Sequence, residues 1–103
     1  MATRSERMQR RILWVERGER ITLVRVAMGV NGDAFALVLE ERSAAHGFPR
    51  HYDKAKISRI ESGKRDLTCE EAAVIAGLDP ERRGLLWLIF GKRKRPPARE
   101  SRA

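Results

Sequence analysis

The chain is poor in several things that small folds and enzymes lean on. It has one cysteine, Cys69, among 103 residues. No intramolecular disulfide is available, and neither is a zinc site built from several thiolates. Long apolar runs are missing. None exceeds six residues, the length of Leu85 to Phe90, against the ~18 needed to cross a membrane. Met1-Ala2-Thr3-Arg4 leads into charged sequence, without the apolar stretch of a secretion signal. An anchored or exported protein is not expected. No segment alternates polar and apolar residues convincingly, which argues against strands. The one ambiguous stretch is Ile12-Leu13-Trp14-Val15, readable as helix or short strand. A Gly-rich phosphate loop, a catalytic triad and a paired-acid motif are all lacking. The reading is therefore a non-enzyme with no cofactor. His46 and His51 stand five apart, near neither Cys69 nor a carboxylate cluster, so no metal site is expected. Cys69 has no identifiable partner base and reads as structural.

What the sequence does have is charge, mostly basic. Lys and Arg number 22 against 14 Asp and Glu, for a formal net charge of +8. With 42% hydrophobic and 35% charged residues, the chain is globular rather than disordered throughout. The excess of base points to a polyanionic partner. Its distribution is uneven. Residues 1–18 hold five basic and two acidic residues, and 91–103 hold six and one. The centre, 19–90, holds eleven of each, yet 50–65 alone holds six basic and two acidic. The domain is neutral but polarised, with its positive pole in that segment.

The pattern along the chain predicts an all-α fold of five short helices. Glu19 to Met28 puts Ile21, Val24 and Met28 on one stripe, with Gly29 as the stop. Asp33 to Ala45 carries Phe35, Ala36, Leu39 and Val38 on an apolar face, broken by His46-Gly47-Phe48-Pro49. Asp53 is placed to cap Lys54 to Ser62, with Ile57 and Ile60 inward and Gly63 after it. Thr68 and Glu71 have capping-box spacing and open a helix through Ala76, with Gly77 as its end. Asp79-Pro80 reads as an N-cap and first helical position, for a helix running to Phe90. Residues 1–18 are then an N-terminal extension, and 19–90 the folded domain. Residues 91–103, with two adjacent prolines and no large apolar side chain, read as a disordered basic tail. That tail is either a solubilising end or a phosphate-binding arm.

The string Lys56-Ile57-Ser58-Arg59-Ile60-Glu61-Ser62-Gly63-Lys64-Arg65 resembles the third-helix signature of the Cro/repressor-type (XRE-type) helix-turn-helix proteins. Arg25 to Asn31 resembles the end of that family's first helix and the turn into its second, and Thr68 to Leu78 its fourth helix. The resemblance covers Glu19 to about Phe90 and implies a compact, lambda-repressor-like domain that binds double-stranded DNA. It implies that Lys54, Ala55 and Arg59 read base edges, and that Asn31, Lys56 and Lys64 meet the phosphate backbone. Arg50 and Arg65 flank the helix as further phosphate contacts. Gly63 permits a left-handed turn that would leave the backbone N–H groups of Ser62 to Lys64 facing a phosphate. Arg25 and Glu61 match a pair that clamps the family's helices together. Two departures stand out. Gly32 replaces a glutamine that opens the family's second helix, and about a dozen extra residues lie between Ala36 and Asp53. Residues 40–52 are therefore an extended second helix or an inserted loop.

Leu85 to Phe90 is apolar around its whole circumference, more than a small monomer leaves wet. Either the N-terminal Ile12 to Val15 covers it or a second subunit does. A homodimer is expected, using this helix, the N-terminal segment or both, with Trp14, Leu86, Trp87 and Phe90 as interface candidates. The resulting expectation is a bacterial or phage transcription regulator, most simply a repressor, acting in the cytoplasm on the nucleoid. An antitoxin that represses its own operon and a phage DNA-packaging subunit share the fold. The rival from another class is an interaction module that binds the transcription machinery.

Overall fold

Residues 3–92 are described by a computed structural model. The first helix, α1, spans Arg4–Met28 without interruption. At 1.5 Å per residue its 25 residues reach about 37 Å. Thr3 caps it, its hydroxyl accepting the Glu6 N–H at 3.1 Å. Gly29, at φ 74°, ends it, and its N–H returns to the Val26 carbonyl at 2.9 Å. The boundary read between residues 18 and 19 is thus corrected. Gly18 lies inside α1, although glycine in a helix interior costs roughly 1 kcal/mol relative to alanine. Its role is close approach: a Cβ there would fall 2.2 Å from the Glu61 carbonyl oxygen.

The second helix, α2, spans Gly32–Ala45 and leaves α1 at 95°. Asn31 caps it, its side-chain oxygen accepting the Ala34 N–H at 2.9 Å. The third, α3, spans Lys54–Glu61 under the Asp53 cap, whose carboxylate accepts the Lys56 N–H at 2.7 Å. The extra residues between Ala36 and Asp53 therefore divide. They complete α2 and then form the irregular segment 46–53.

The fourth helix, α4, spans Cys69–Leu78 behind the full Thr68–Glu71 capping box. It runs through Gly77, where a stop was expected. The stop comes one turn-end later, where Asp79 is extended (φ −64°, ψ 115°) ahead of Pro80, a conformation that proline favours in its predecessor. The helix expected from Pro80 onward is also shorter. The fifth helix, α5, spans Leu85–Phe90 only. Asp79 closes a loop instead of capping a helix. Its carboxylate accepts the N–H groups of Glu81 and Arg83 and pairs with the Arg83 guanidinium at 2.9 Å. Such side-chain-to-backbone bonds compete with helix. Arg82 (φ 50°) and Gly84 (φ 94°) then take the left-handed region that no continuing helix allows.

The five helices enclose one core of Ile21, Val24, Phe35, Leu39, Ile57, Ile60, Val74, Ile75, Trp87 and Leu88. α1 packs on α3 and α5, α2 on α3 and α4, and α4 on α5. The described residues are all-helical, without a strand. Among them, no single helix is long and apolar enough to cross a membrane. The basic tail lies, from residue 93 onward, outside the described residues.

Candidate nucleic-acid interface

α3 has a locked side and a free side. Ile57 and Ile60 are each 2% exposed and turn into the core. Lys54, Ala55, Ser58, Arg59 and Ser62 are exposed. Lys54, Ser58 and Ser62 recur at four-residue spacing and line an open groove of about 380 Å³ with Arg25, Gly32, Ile57 and Glu61. The two serines were not singled out in the sequence, although their spacing from Lys54 carries the signal. Gly32, unlike Gly18, is under no steric constraint: a Cβ there would meet the Lys54 Cγ at 3.4 Å, an ordinary van der Waals contact.

Glu61 fastens α3 to α1. Arg25 donates from Nε to Glu61 Oε2 at 2.8 Å and from Nη2 to Oε1 at 3.1 Å. Thr22, unmarked in the sequence, donates its hydroxyl to Glu61 Oε1 at 2.7 Å. Arg25 Nη1 also donates to the Val30 carbonyl at 3.2 Å, so the same guanidinium braces the turn into α2. The paired carboxylate raises the Arg25 guanidinium above its ordinary value, against the opposing effect of burial. Backbone contact completes the seam. A Cβ on Gly63 would fall 2.7 Å from the Val15 backbone.

The turn after α3 corrects one expectation. The N–H groups of Ser62, Gly63 and Lys64 donate to the carbonyls of Ser58, Ile60 and Arg59, at 3.0, 3.2 and 2.9 Å. They close the helix end and do not face outward as a phosphate cradle.

On the other side, a single carboxylate holds both ends of α3. Glu71 is 1% exposed. Tyr52, just before α3, donates its hydroxyl to Glu71 Oε2 at 2.5 Å. Arg65, just after α3, donates from Nη1 and Nη2 to the two Glu71 oxygens at 3.2 and 3.0 Å. The Thr68 N–H adds a fourth bond at 2.9 Å. Burial alone would push the Glu71 carboxyl up; the bonds from Arg65, Thr68 and Tyr52 outweigh it and hold the carboxyl below its ordinary range. Burial and the Glu71 charge together push the Tyr52 hydroxyl well up. Tyr52 also donates its N–H to Glu40 at 2.8 Å, which ties segment 46–53 back to α2.

These bonds reassign two basic residues. Both terminal nitrogens of Arg65 are committed to Glu71, so its geometry is that of a brace and not of a free phosphate ligand. Lys56 donates Nζ to the His51 carbonyl at 2.9 Å and lies 4.9 Å from the centre of the Tyr52 ring. It staples segment 46–53 onto α3. Arg50 and Lys64 are exposed. Asn31 is exposed as well, with its side-chain oxygen used as the α2 cap.

Of the residues expected at a subunit interface, Leu86 and Phe90 are 62% and 60% exposed, and Trp14 is half-buried. Trp87 is corrected. It is 8% exposed, packed in the core with the Arg83 guanidinium 4.0 Å above its ring. α5 is held further by two α1 arginines at its C-terminus. Arg20 donates to the Leu88 and Ile89 carbonyls at 2.8 and 3.0 Å, and Arg17 to Ile89 at 3.0 Å, where a cation meets the negative end of the helix. No metal-ligating cluster of three or more side chains occurs among the described residues. No protein-family model, curated protein or solved structure matches the chain.

Proposed function

We propose that this protein is a sequence-specific double-stranded DNA-binding regulator of transcription, with a lambda-repressor-like helix-turn-helix domain of the Cro/repressor type. The observation that carries the reading is the division of α3. Its inner side and both of its ends are fixed, while Lys54, Ala55, Ser58, Arg59 and Ser62 stay exposed. A rigid helix with a small, polar and basic outer face suits the major groove. Lys54 and Arg59 are the donors for guanine O6 and N7, and Ser58 and Ser62 bond either kind of edge. Arg50, Lys64 and the Asn31 amide meet phosphates beside them. Lys56 and Arg65 act indirectly, by orienting α3.

Repression by occupying a promoter is the simplest mechanism, with the cytoplasmic nucleoid as its place. The exposed Leu86 and Phe90, with Trp14, favour a second copy as partner. A two-fold pair would read half-sites about 34 Å apart. Selection of bound duplexes from a random library tests the reading directly, with an enriched two-fold motif as the expected outcome. Arg59→Ala should then flatten the preference at one position of each half-site. Selection that enriches nothing, or a preference that Arg59→Ala leaves intact, would remove the proposal.

A further inference from the structure

One stripe of α1 crosses the C-terminal end of α3 and then continues beyond it. Arg25, Thr22, Gly18 and Val15 follow one another at helical spacing, and each touches α3 or its closing turn. The sequence continues that spacing through Arg11, Arg7 and Arg4. From Val15, level with Gly63, back to Arg4 is a further three turns, roughly 16 Å. Arg4 and Arg7 are exposed, and neither forms an ion pair among the described residues. Glu6, the one acid between Arg4 and Val15, lies off the stripe by spacing.

The side of α1 that meets α3 along its inner half therefore turns into arginine where α3 ends. Met8 and Leu13 are also exposed on this segment, but the arginines of the stripe favour a polyanion as its partner. A duplex that receives α3 in its major groove places a phosphate strand across the C-terminal end of that helix, where Lys64 already stands.

We propose that the first three turns of α1 are a second DNA-binding element. Arg4 and Arg7 would clamp the phosphate strand that borders the groove occupied by α3, outside the bases it reads. This rests on the DNA-binding reading above and adds to it a place, a ligand atom and a footprint. Such contacts carry affinity without sequence information.

The test is the double variant Arg4→Gln/Arg7→Gln in the full chain, titrated with the selected duplex and a scrambled one over a range of salt. Each lost phosphate contact lowers the slope of log K against log salt by about 0.9, and two weaken binding ~10–30-fold near physiological salt. The expected result is that loss on both duplexes, an unchanged base preference, and a footprint shortened outside the motif. An unchanged slope and footprint, beside a normal base preference, would overturn this element alone. So would a variant whose only change is its assembly state in light scattering. Failure of the unaltered protein to bind any duplex selectively would instead sink the parent reading.

Discussion

α3 stands between two carboxylates, and they hold it differently. Glu61 belongs to α3 itself and lies at the rim, its side chain 13% exposed, facing Arg25 and Thr22 of α1. Glu71 belongs to α4, is 1% exposed, and takes donors from the chain on either side of α3. The first fixes how α3 lies against one neighbour. The second fixes where α3 begins and ends. A buried carboxylate that loses its partners is costly, so Glu71 should carry stability and Glu61 orientation.

Removing the Glu71 side chain should show the largest effect. Glu71→Ala leaves the buried Tyr52 hydroxyl and the Thr68 N–H without an acceptor. Chemical denaturation should register a loss of about 3 kcal/mol, near the low end for breaking a buried pair, because Arg65 can regain water. Gly18→Ala attacks the other seam sterically. With its Cβ 2.2 Å from a backbone oxygen, α1 must shift off α3. A loss of about 2 kcal/mol is expected, together with weaker DNA binding at all sequences. A variant as stable as the parent would show that α1 and α3 are not in contact there.

Arg25→Ala should cost less, about 1–2 kcal/mol, since Thr22 still donates to Glu61 and its place at the rim admits water. Its sharper signature is functional, because α3 loses its fixed angle to α1. Selectivity between the selected and scrambled duplexes should fall more than stability does. An equal fall in both would assign Glu61 the same role as Glu71.

pH tests the Glu71 side from both directions. The folded Glu71 carboxyl sits below its ordinary value, so its contribution is present above about pH 4.3 and fades as pH falls through the folded value. Glu71→Gln should flatten the acid limb of the stability curve. Tyr52 runs the other way. Its folded hydroxyl is raised, so its contribution is complete below about pH 10 and is lost as pH climbs toward the folded value. Tyr52→Phe should cost about 1 kcal/mol at neutral pH and remove the alkaline loss. The smallest effect on stability is expected from Arg59→Ala, which touches neither carboxylate. Unchanged unfolding with altered base preference is its expected result.

Local chemistry made the caps legible. Asp53 and Thr68 sit within three residues of the N–H groups they serve, so spacing alone reveals them, whereas the Asn31 cap went unread. The inward Ile57 and Ile60 follow from period. Arg25 and Glu61, 36 residues apart, are not linked by any local rule and emerged only through resemblance to a family pattern. Glu71 was legible as half of a capping box, but its service to Tyr52 and Arg65 was not. Pro80 misled, because proline at a helix start and proline in an Asp-closed loop share one local sequence. Trp87 misled too: in an all-apolar run, nothing local says which side faces the core.

By itself, then, the sequence determined that this chain is helical, where most helices begin, and which short segment concentrates positive charge. Those properties depend on neighbours within one or two turns. Only the tertiary structure decided that Gly18 is a contact and not a break, and that Arg65 and Lys56 are braces. It also decided that Trp87 is core, and that the arginine stripe of α1 starts where α3 stops. Each of these depends on a backbone or side chain brought close by folding, and a contact across that separation leaves no periodic trace in the chain.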